Sequence, residues 1–207
     1  MKKLLLMSLL ILALCCSCCS VKQQNPDFAV TLSAINHQIW FQDGSDCNST
    51  SIGLHTILTA THCVDKKDAK IAIDNRNNIV SILQKVYDTQ DHVILVLGYT
   101  FKNWAYVSQQ PIKLGERVFI AGAPGDFNQL YMVGFYSGWS RLDAHTVMMM
   151  FELPIFYGDS GSAIFNQQGQ IITTITCNAS LTGDRDYVGF ACANPLAFTK
   201  KQLGQIQ

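Results

Sequence analysis

The feature that most constrains this chain is a series of short apolar runs, rich in β-branched and aromatic residues and separated by turn-forming residues. Groups such as residues 123–126, which read Ala-Pro-Gly-Asp, lie between the runs. Short strands separated in this way are typical of an all-β barrel or sandwich. The one helix that we expect is a short one within residues 197–206. We predict strands at residues 52–58, 70–73, 79–86, 93–97, 117–121, 130–136, 147–151, 171–176 and 187–191.

The first 18 residues have the order of an export signal. Lys2 and Lys3 precede an apolar run over residues 4–14, and small residues and cysteines follow. The run is about half as long as a bilayer-spanning helix, so we expect cleavage rather than a membrane anchor. Residues 14–19 resemble a bacterial lipoprotein signal. We therefore predict lipid attachment at Cys18, with Cys15 as the rival position and plain secretion as the alternative. A polar tether over residues 19–27 then leads to a folded domain over residues 28–207.

Charge and composition exclude several classes of protein. Lysine plus arginine equals aspartate plus glutamate at 15 each, and no basic run follows the first few residues, so nucleic acid is not expected as a partner. The sequence after the signal has no Cys-x-x-Cys pair, which disfavours a thiol-redox protein. A zinc site is not expected, because the spacing around His62 and Cys63 matches no ligand pattern. We predict no cofactor and no metal.

Four cysteines remain when the four within residues 14–19 are set aside. They are Cys47, Cys63, Cys177 and Cys192. In an exported chain an even number indicates two disulfides, although four cysteines allow three connectivities. Proximity in sequence favours Cys47 with Cys63 and Cys177 with Cys192.

A glycine-flanked serine is the first candidate for chemistry. Residues 158–161 read Gly-Asp-Ser-Gly, and glycines at such a turn let backbone N–H groups approach a developing oxyanion. We predict Ser160 as a nucleophile and the N–H groups of Gly158 and Ser160 as the oxyanion hole.

A histidine and an aspartate can activate that serine. His62 follows an apolar strand, and an imidazole can accept the proton of a serine hydroxyl near neutral pH. Asp91 directly precedes the apolar run 93–97, at the edge of the predicted core, where it can orient the imidazole. Asp88 is the alternative acid, but no apolar run follows it directly.

The order histidine, aspartate, serine resembles the chymotrypsin-like (trypsin-like) serine proteases and differs from subtilisins and α/β-hydrolases. The position of Cys47 and Cys63 also resembles the disulfide that supports the histidine in that family. Residues 114–125 and 133–138 are similar to bacterial peptidases of the high-temperature-requirement and glutamyl-endopeptidase kinds. The resemblance covers residues 30–197. It implies two six-stranded Greek-key β-barrels packed side by side, about 28–108 and 109–197, with the active site in the cleft between them.

The chain also departs from the family. No Ile-Val-Gly-Gly start follows the tether, so we expect neither a zymogen switch nor an N-terminal ammonium partner for Asp159. We also expect no additional peptide-binding domain, because the predicted protease domain takes up the rest of the sequence. The family's primary pocket corresponds here to Pro154, Tyr157, Thr174, Thr176, Cys177 and Asn178, together with residues 189–191. No carboxylate falls at the position near Pro154, since the nearby Glu152 comes too early in the sequence, and this favours an uncharged side chain before the scissile bond.

The resemblance therefore implies a serine endopeptidase that acts on protein or peptide substrates through an acyl-enzyme. The export signal places it outside the cytoplasm, as a periplasmic or cell-envelope lipoprotein or as a secreted protein. The alternative is a catalytically silent binding module that keeps the protease fold and is tethered to the cell envelope.

Overall fold

The computed structural model describes residues 26–40, 46–65, 70–73, 78–123, 130–179 and 190–204. The predicted signal, including Cys18, and most of the predicted tether lie outside the described residues. The described residues form thirteen strands and three short helices. No helix among them is long and apolar enough to cross a membrane.

The first six strands form a closed antiparallel barrel. Their order around the barrel is β1-β2-β3-β6-β5-β4. The strands are β1 (Asn36–Trp40), β2 (Asp46–Gly53), β3 (Thr56–Ala60), β4 (Lys70–Ile73), β5 (Asn78–Tyr87) and β6 (His92–Leu97).

The remaining seven strands form a second antiparallel sheet in the order β11-β10-β7-β8-β9-β13-β12. Its two ends, β11 and β12, are separated by only two residues of chain, so the sheet curls back on itself. Counted as one interrupted strand, they give the six strands that we predicted. The strands are β7 (Arg117–Gly122), β8 (Leu130–Arg141), β9 (Val147–Glu152), β10 (Ala163–Phe165), β11 (Ile171–Thr174), β12 (Cys177–Ala179) and β13 (Phe190–Ala193).

The two barrels share a core. In β6, alternate residues such as Val93 and Leu95 face the interior of the first barrel, whereas Ile94 joins a cluster with Phe119 and Phe165 of the second sheet. Because side chains of a strand alternate between its faces, a strand that is buried on both faces reads as a continuous apolar run. The predicted all-β class and the two-barrel architecture are confirmed.

The helices are α1 (Pro26–Ser33), α2 (Thr61–Val64) and α3 (Lys200–Gly204). The short helix predicted within residues 197–206 is present as α3. The expectation that no other helix exists was wrong. Helix α1 begins inside the predicted tether, and it belongs to the fold because Leu32 is buried and the Phe28 ring contacts the Phe119 ring edge-on at 5.2 Å.

The predicted single strand over residues 52–58 was also wrong. The chain reverses there, since exposed Leu54 and His55 form the turn between β2 and β3. Three strands, β1, β10 and β12, were not predicted, because β10 and β12 are only three residues long and three of the five residues of β1 are polar. Of the predicted strand 187–191, residues 187–189 lie outside the described residues and β13 begins at Phe190.

Candidate active site

The antiparallel pairing of β3 with β6 brings the histidine and the aspartate together. Ala60 lies opposite His92 at the end of this pair. The chain continues outward from both strands, and the Thr61 N–H donates to the Asp91 carbonyl oxygen at 3.1 Å. His62 follows Thr61 on the one-turn helix α2, directly beside Asp91.

Both carboxylate oxygens of Asp91 contact His62. The imidazole Nδ1 lies 2.7 Å from Asp91 Oδ2, and the His62 backbone N–H donates to Oδ1 at 3.0 Å. The His62 side chain is 44% exposed, and its other ring nitrogen makes no hydrogen bond to a described residue. This is the pairing predicted for a base and the acid that orients it.

Asp88, the alternative acid, is engaged elsewhere. Its Oδ2 lies 2.7 Å from Nδ1 of His92, with both side chains fully buried, and it also accepts the Ala197 N–H at 3.0 Å. Burial opposes ionisation, but the hydrogen bonds from His92 and from backbone N–H groups outweigh it and lower the pKa of Asp88 below its ordinary value. The second ring nitrogen of His92 lies 3.3 Å from the Thr173 hydroxyl, on a strand of the other barrel.

Ser160 lies on the turn before β10, at the junction of the barrels. Gly161, the next residue, has φ +82°, and a Cβ there would overlap the Thr59 hydroxyl and the Asn48 carbonyl oxygen. The Ser160 carbonyl accepts the Asn48 N–H at 2.8 Å and lies 3.9 Å from Cys63 Sγ. Because Cys63 directly follows His62 in sequence, Ser160 of the second barrel lies next to the part of the first barrel that carries His62.

The two N–H groups predicted as oxyanion donors are not used in hydrogen bonds within the described part of the chain. The N–H groups of Gly158 and Ser160 donate to no described group. Gly158 has φ +97°, a conformation that favours glycine, and its carbonyl accepts the Asn48 side-chain amide at 2.6 Å.

Asp159, between these donors, is fully buried. Its Oδ2 accepts the Phe156 N–H at 2.8 Å, while its Oδ1 has no hydrogen-bond partner among the described residues. Burial raises the pKa of Asp159 from 3.8 to about 6, against the lowering effect of the Phe156 N–H.

Both predicted disulfides are present. Cys47 is bonded to Cys63, and Cys177 to Cys192. The first joins β2 to the helix that carries His62. The second joins β12 to β13 at residues that lie directly opposite each other.

The residues predicted to bind substrate differ in accessibility. Pro154, Tyr157 and Asn178 are exposed, and Tyr157 is 82% exposed. Thr176 and Cys177 are half-buried, whereas Thr174 is fully buried. Residue 189 lies outside the described residues. No group of three or more potential metal ligands occurs in the described part of the chain.

Asn48 is the residue at this site that the sequence did not reveal. It directly follows Cys47, is fully buried, and makes hydrogen bonds to the turn that carries Ser160. No motif in the sequence could have identified it, because its contacts depend on how the two barrels meet.

A histidine–aspartate pair on one β-barrel and a glycine-flanked serine on a second define the class of chymotrypsin-like serine protease folds. The chain belongs to the family described as Trypsin-like peptidase domain, which matches residues 44–173.

Solved structures share the fold. The active form of the Rv3671c protease from M. tuberculosis is 18% identical, with a TM-score of 0.71, and the match covers 91% of this chain and 87% of that one. An inactive form of the same protease is 15% identical, with a TM-score of 0.69, covering 90% and 96%. No protein of curated function matches the chain.

Proposed function

We propose that the protein is a serine endopeptidase in which Ser160 is the nucleophile, His62 the general base and Asp91 the residue that orients the base. The observation that carries this proposal is the 2.7 Å contact between His62 Nδ1 and Asp91 Oδ2, at the junction where the second barrel presents Ser160. An acid in this position favours the tautomer with a proton on Nδ1, which leaves Nε2 able to accept the serine proton.

The reaction proceeds in two halves. The Ser160 hydroxyl oxygen attacks the peptide carbonyl carbon while His62 takes the hydroxyl proton, and the N–H groups of Gly158 and Ser160 bind the resulting oxyanion. Collapse of this intermediate breaks the C–N bond, and His62 gives its proton to the departing amine. Water then attacks the acyl-enzyme, with His62 again accepting and returning a proton, which releases the carboxylic acid and restores the serine.

A fluorophosphonate probe tests this function, because it labels only an activated serine. We expect the probe to label the unchanged protein and not to label Ser160→Ala. Circular dichroism should show that both proteins are equally folded. An unlabelled but folded unchanged protein would reject the protease and leave the silent binding module as the better description.

We further propose that substrates are proteins or peptides cleaved after an uncharged side chain. By the family resemblance, the position at which trypsin-like enzymes that prefer Lys or Arg place a carboxylate falls near Pro154, and the adjacent Ile155 is apolar and buried. A peptide library should therefore be cleaved mainly after neutral residues. Cleavage chiefly after Lys or Arg would contradict this preference.

The proposed site of action is outside the cytoplasm, with a lipid on Cys18. Two disulfides support an oxidising compartment, because reducing cytosol rarely permits them. Growth of the expressing bacterium with a labelled fatty acid should label the unchanged protein but not Cys18→Ser. An unlabelled unchanged protein would reject lipidation and favour plain secretion.

A further inference from the structure

Asn48 lies at the centre of a buried hydrogen-bond network that joins the two barrels. Its backbone N–H donates to the Ser160 carbonyl at 2.8 Å, and its own carbonyl accepts the Thr59 hydroxyl at 2.7 Å. Its side chain adds three further hydrogen bonds, to Asn36, Ala123 and Gly158. A fully buried amide with this many partners is held in one conformation.

The partners also fix which end of the side-chain amide faces which way. Oδ1 accepts the Ala123 backbone N–H at 3.0 Å, and Nδ2 donates to the Gly158 carbonyl at 2.6 Å. A backbone N–H can only donate and a carbonyl can only accept, so the two ends cannot be exchanged. The donor toward Gly158 is therefore a requirement that a side chain without an N–H group cannot meet.

Gly158 needs such an anchor. Without a Cβ, a glycine can adopt many backbone conformations, and the φ of +97° found here is only one of them. Asn48 holds the turn at two points, the Gly158 carbonyl and the Ser160 carbonyl. The two N–H groups proposed as oxyanion donors belong to the same two residues.

Asp159 does not provide this anchor from the other side. No cationic group contacts its carboxyl among the described residues, and its one side-chain hydrogen bond joins it to Phe156 within the same turn. Among the described residues, the hydrogen bond that joins Gly158 to the first barrel thus comes from Asn48.

We propose that Asn48 is a positioning residue of the protease: its side-chain amide holds the Gly158 carbonyl and so keeps the Gly158 and Ser160 N–H groups directed at the oxyanion. This inference rests on the proposed function. The first barrel would then both carry the general base and hold the oxyanion hole of the second barrel in place.

The test compares Asn48→Leu, which preserves approximate size but removes the donor, with Asn36→Ala. The control loses one buried hydrogen bond of the same network, the 3.1 Å bond from Asn36 to Asn48 Oδ1, but leaves the bond to Gly158 intact. A further variant, Asn48→Ser, keeps a hydroxyl that is too short to reach Gly158, and it replaces Asn48→Leu if that variant does not fold. Urea unfolding measures stability, and the rate constant of fluorophosphonate labelling measures the site, since the phosphonyl oxygen occupies the oxyanion position.

We expect the Asn48 variants to be labelled about 100-fold more slowly, the size of effect that a small misplacement of reacting groups produces. Asn36→Ala should be labelled at a rate close to that of the unchanged protein. The proton NMR signal of the His62 Nδ1–H, which reports the pair with Asp91, should be retained in all of them.

Two results would overturn the inference. One is labelling of folded Asn48→Leu or Asn48→Ser at the same rate as Asn36→Ala. The other is loss of the His62 Nδ1–H signal together with labelling, since that would show general damage to the site rather than a displaced oxyanion hole. An unlabelled unchanged protein is a separate outcome, because it rejects the proposed function itself.

Discussion

Asp91 binds His62 through both of its carboxylate oxygens, Oδ2 at 2.7 Å from the imidazole Nδ1 and Oδ1 at 3.0 Å from the backbone nitrogen. Two contacts to one residue prevent the carboxylate from rotating away. The imidazole is therefore fixed in both its orientation and its tautomer, with the proton on Nδ1.

Replacing Asp91 by asparagine should slow fluorophosphonate labelling by about 10⁴-fold, the size of loss that this change causes in a Ser-His-Asp catalytic triad. An amide can donate toward Nδ1, which favours the tautomer in which Nε2 carries the proton and cannot act as a base. The rate constant of labelling at neutral pH measures the effect.

Asp88→Asn is the matched control. Asp88 is buried against His92 rather than His62, so its replacement should lower the free energy of unfolding while the folded protein is still labelled. Equal losses of labelling in Asp88→Asn and Asp91→Asn, at matched folded fractions, would contradict the assignment of Asp91.

Gly161→Ala should abolish labelling. The added Cβ would overlap the Thr59 hydroxyl and the Asn48 carbonyl, so Ser160 would be pushed away from the first barrel. Gly115→Ala separates this overlap from backbone strain, because Gly115 also has a positive φ of 75° but has nothing within 4 Å of its Cβ position. We expect Gly115→Ala to lose about 1 kcal/mol of stability and to keep full labelling. Normal labelling of Gly161→Ala would show that the two barrels do not meet as described.

A site residue could be predicted from the sequence where the residues that identify it lie in one short segment. Asp91 was preferred over Asp88 because a continuous apolar run follows it, and that run is β6, whose pairing with β3 places Asp91 beside His62. The Gly-Asp-Ser-Gly turn was likewise visible, because glycines at positive φ are required by the turn itself.

Contacts between segments were not predictable in the same way. The roles of Asn48 and His92 depend on partners more than 80 residues away in sequence, Gly158 for the first and Thr173 for the second. The hairpin at Leu54 and His55 was missed for a related reason. Leu54 is apolar and the turn is only two residues long, so the segment looks like one continuous strand in sequence. The reversal is evident only from the pairing of β2 with β3.

Asp159 should make stability fall as pH rises. Its pKa is about 6 in the folded protein against 3.8 ordinarily, so the folded state holds a proton that the unfolded state has already released between these values. The favourable contribution is complete below about pH 4, declines up to about pH 6 and is then absent. Between these two pH values the contribution of Asp159 to the free energy of unfolding changes by on the order of 3 kcal/mol.

Urea unfolding of the unchanged protein and of Asp159→Asn, from pH 4 to pH 7, measures this contribution. The stability of the unchanged protein relative to the variant should fall across the interval, because the amide does not titrate. A constant difference between the two proteins would mean that burial does not shift the Asp159 carboxyl.

His92→Leu should be strongly destabilising, by about 3–5 kcal/mol, because it removes the imidazole that lies 2.7 Å from the buried Asp88 carboxylate and leaves that group only its backbone N–H partners. The exposed His145 offers a control, since its replacement by leucine removes no buried contact. The loss of stability caused by His92→Leu should diminish below about pH 4. The pKa of Asp88 is lowered in the folded protein. The stability that the Asp88–His92 pair supplies is therefore present above the ordinary carboxyl pKa and is lost as pH falls. Equal stability of the two variants at pH 7 would contradict a structural role for the pair.

The two disulfides should contribute similarly to stability but differently to activity. They close loops with sequence separations of 16 and 15, so removing either by a double replacement with alanine should cost about 3 kcal/mol. Loss of Cys47–Cys63 should also slow fluorophosphonate labelling of the folded protein, because Cys63 follows His62 and Cys47 precedes Asn48. Loss of Cys177–Cys192 is the comparison of matched loop length: because Cys177 belongs to the predicted primary pocket, we expect this loss to weaken peptide cleavage more than it slows fluorophosphonate labelling. If both double variants were labelled at the rate of the unchanged protein, the first disulfide would stabilise the barrel without holding the site.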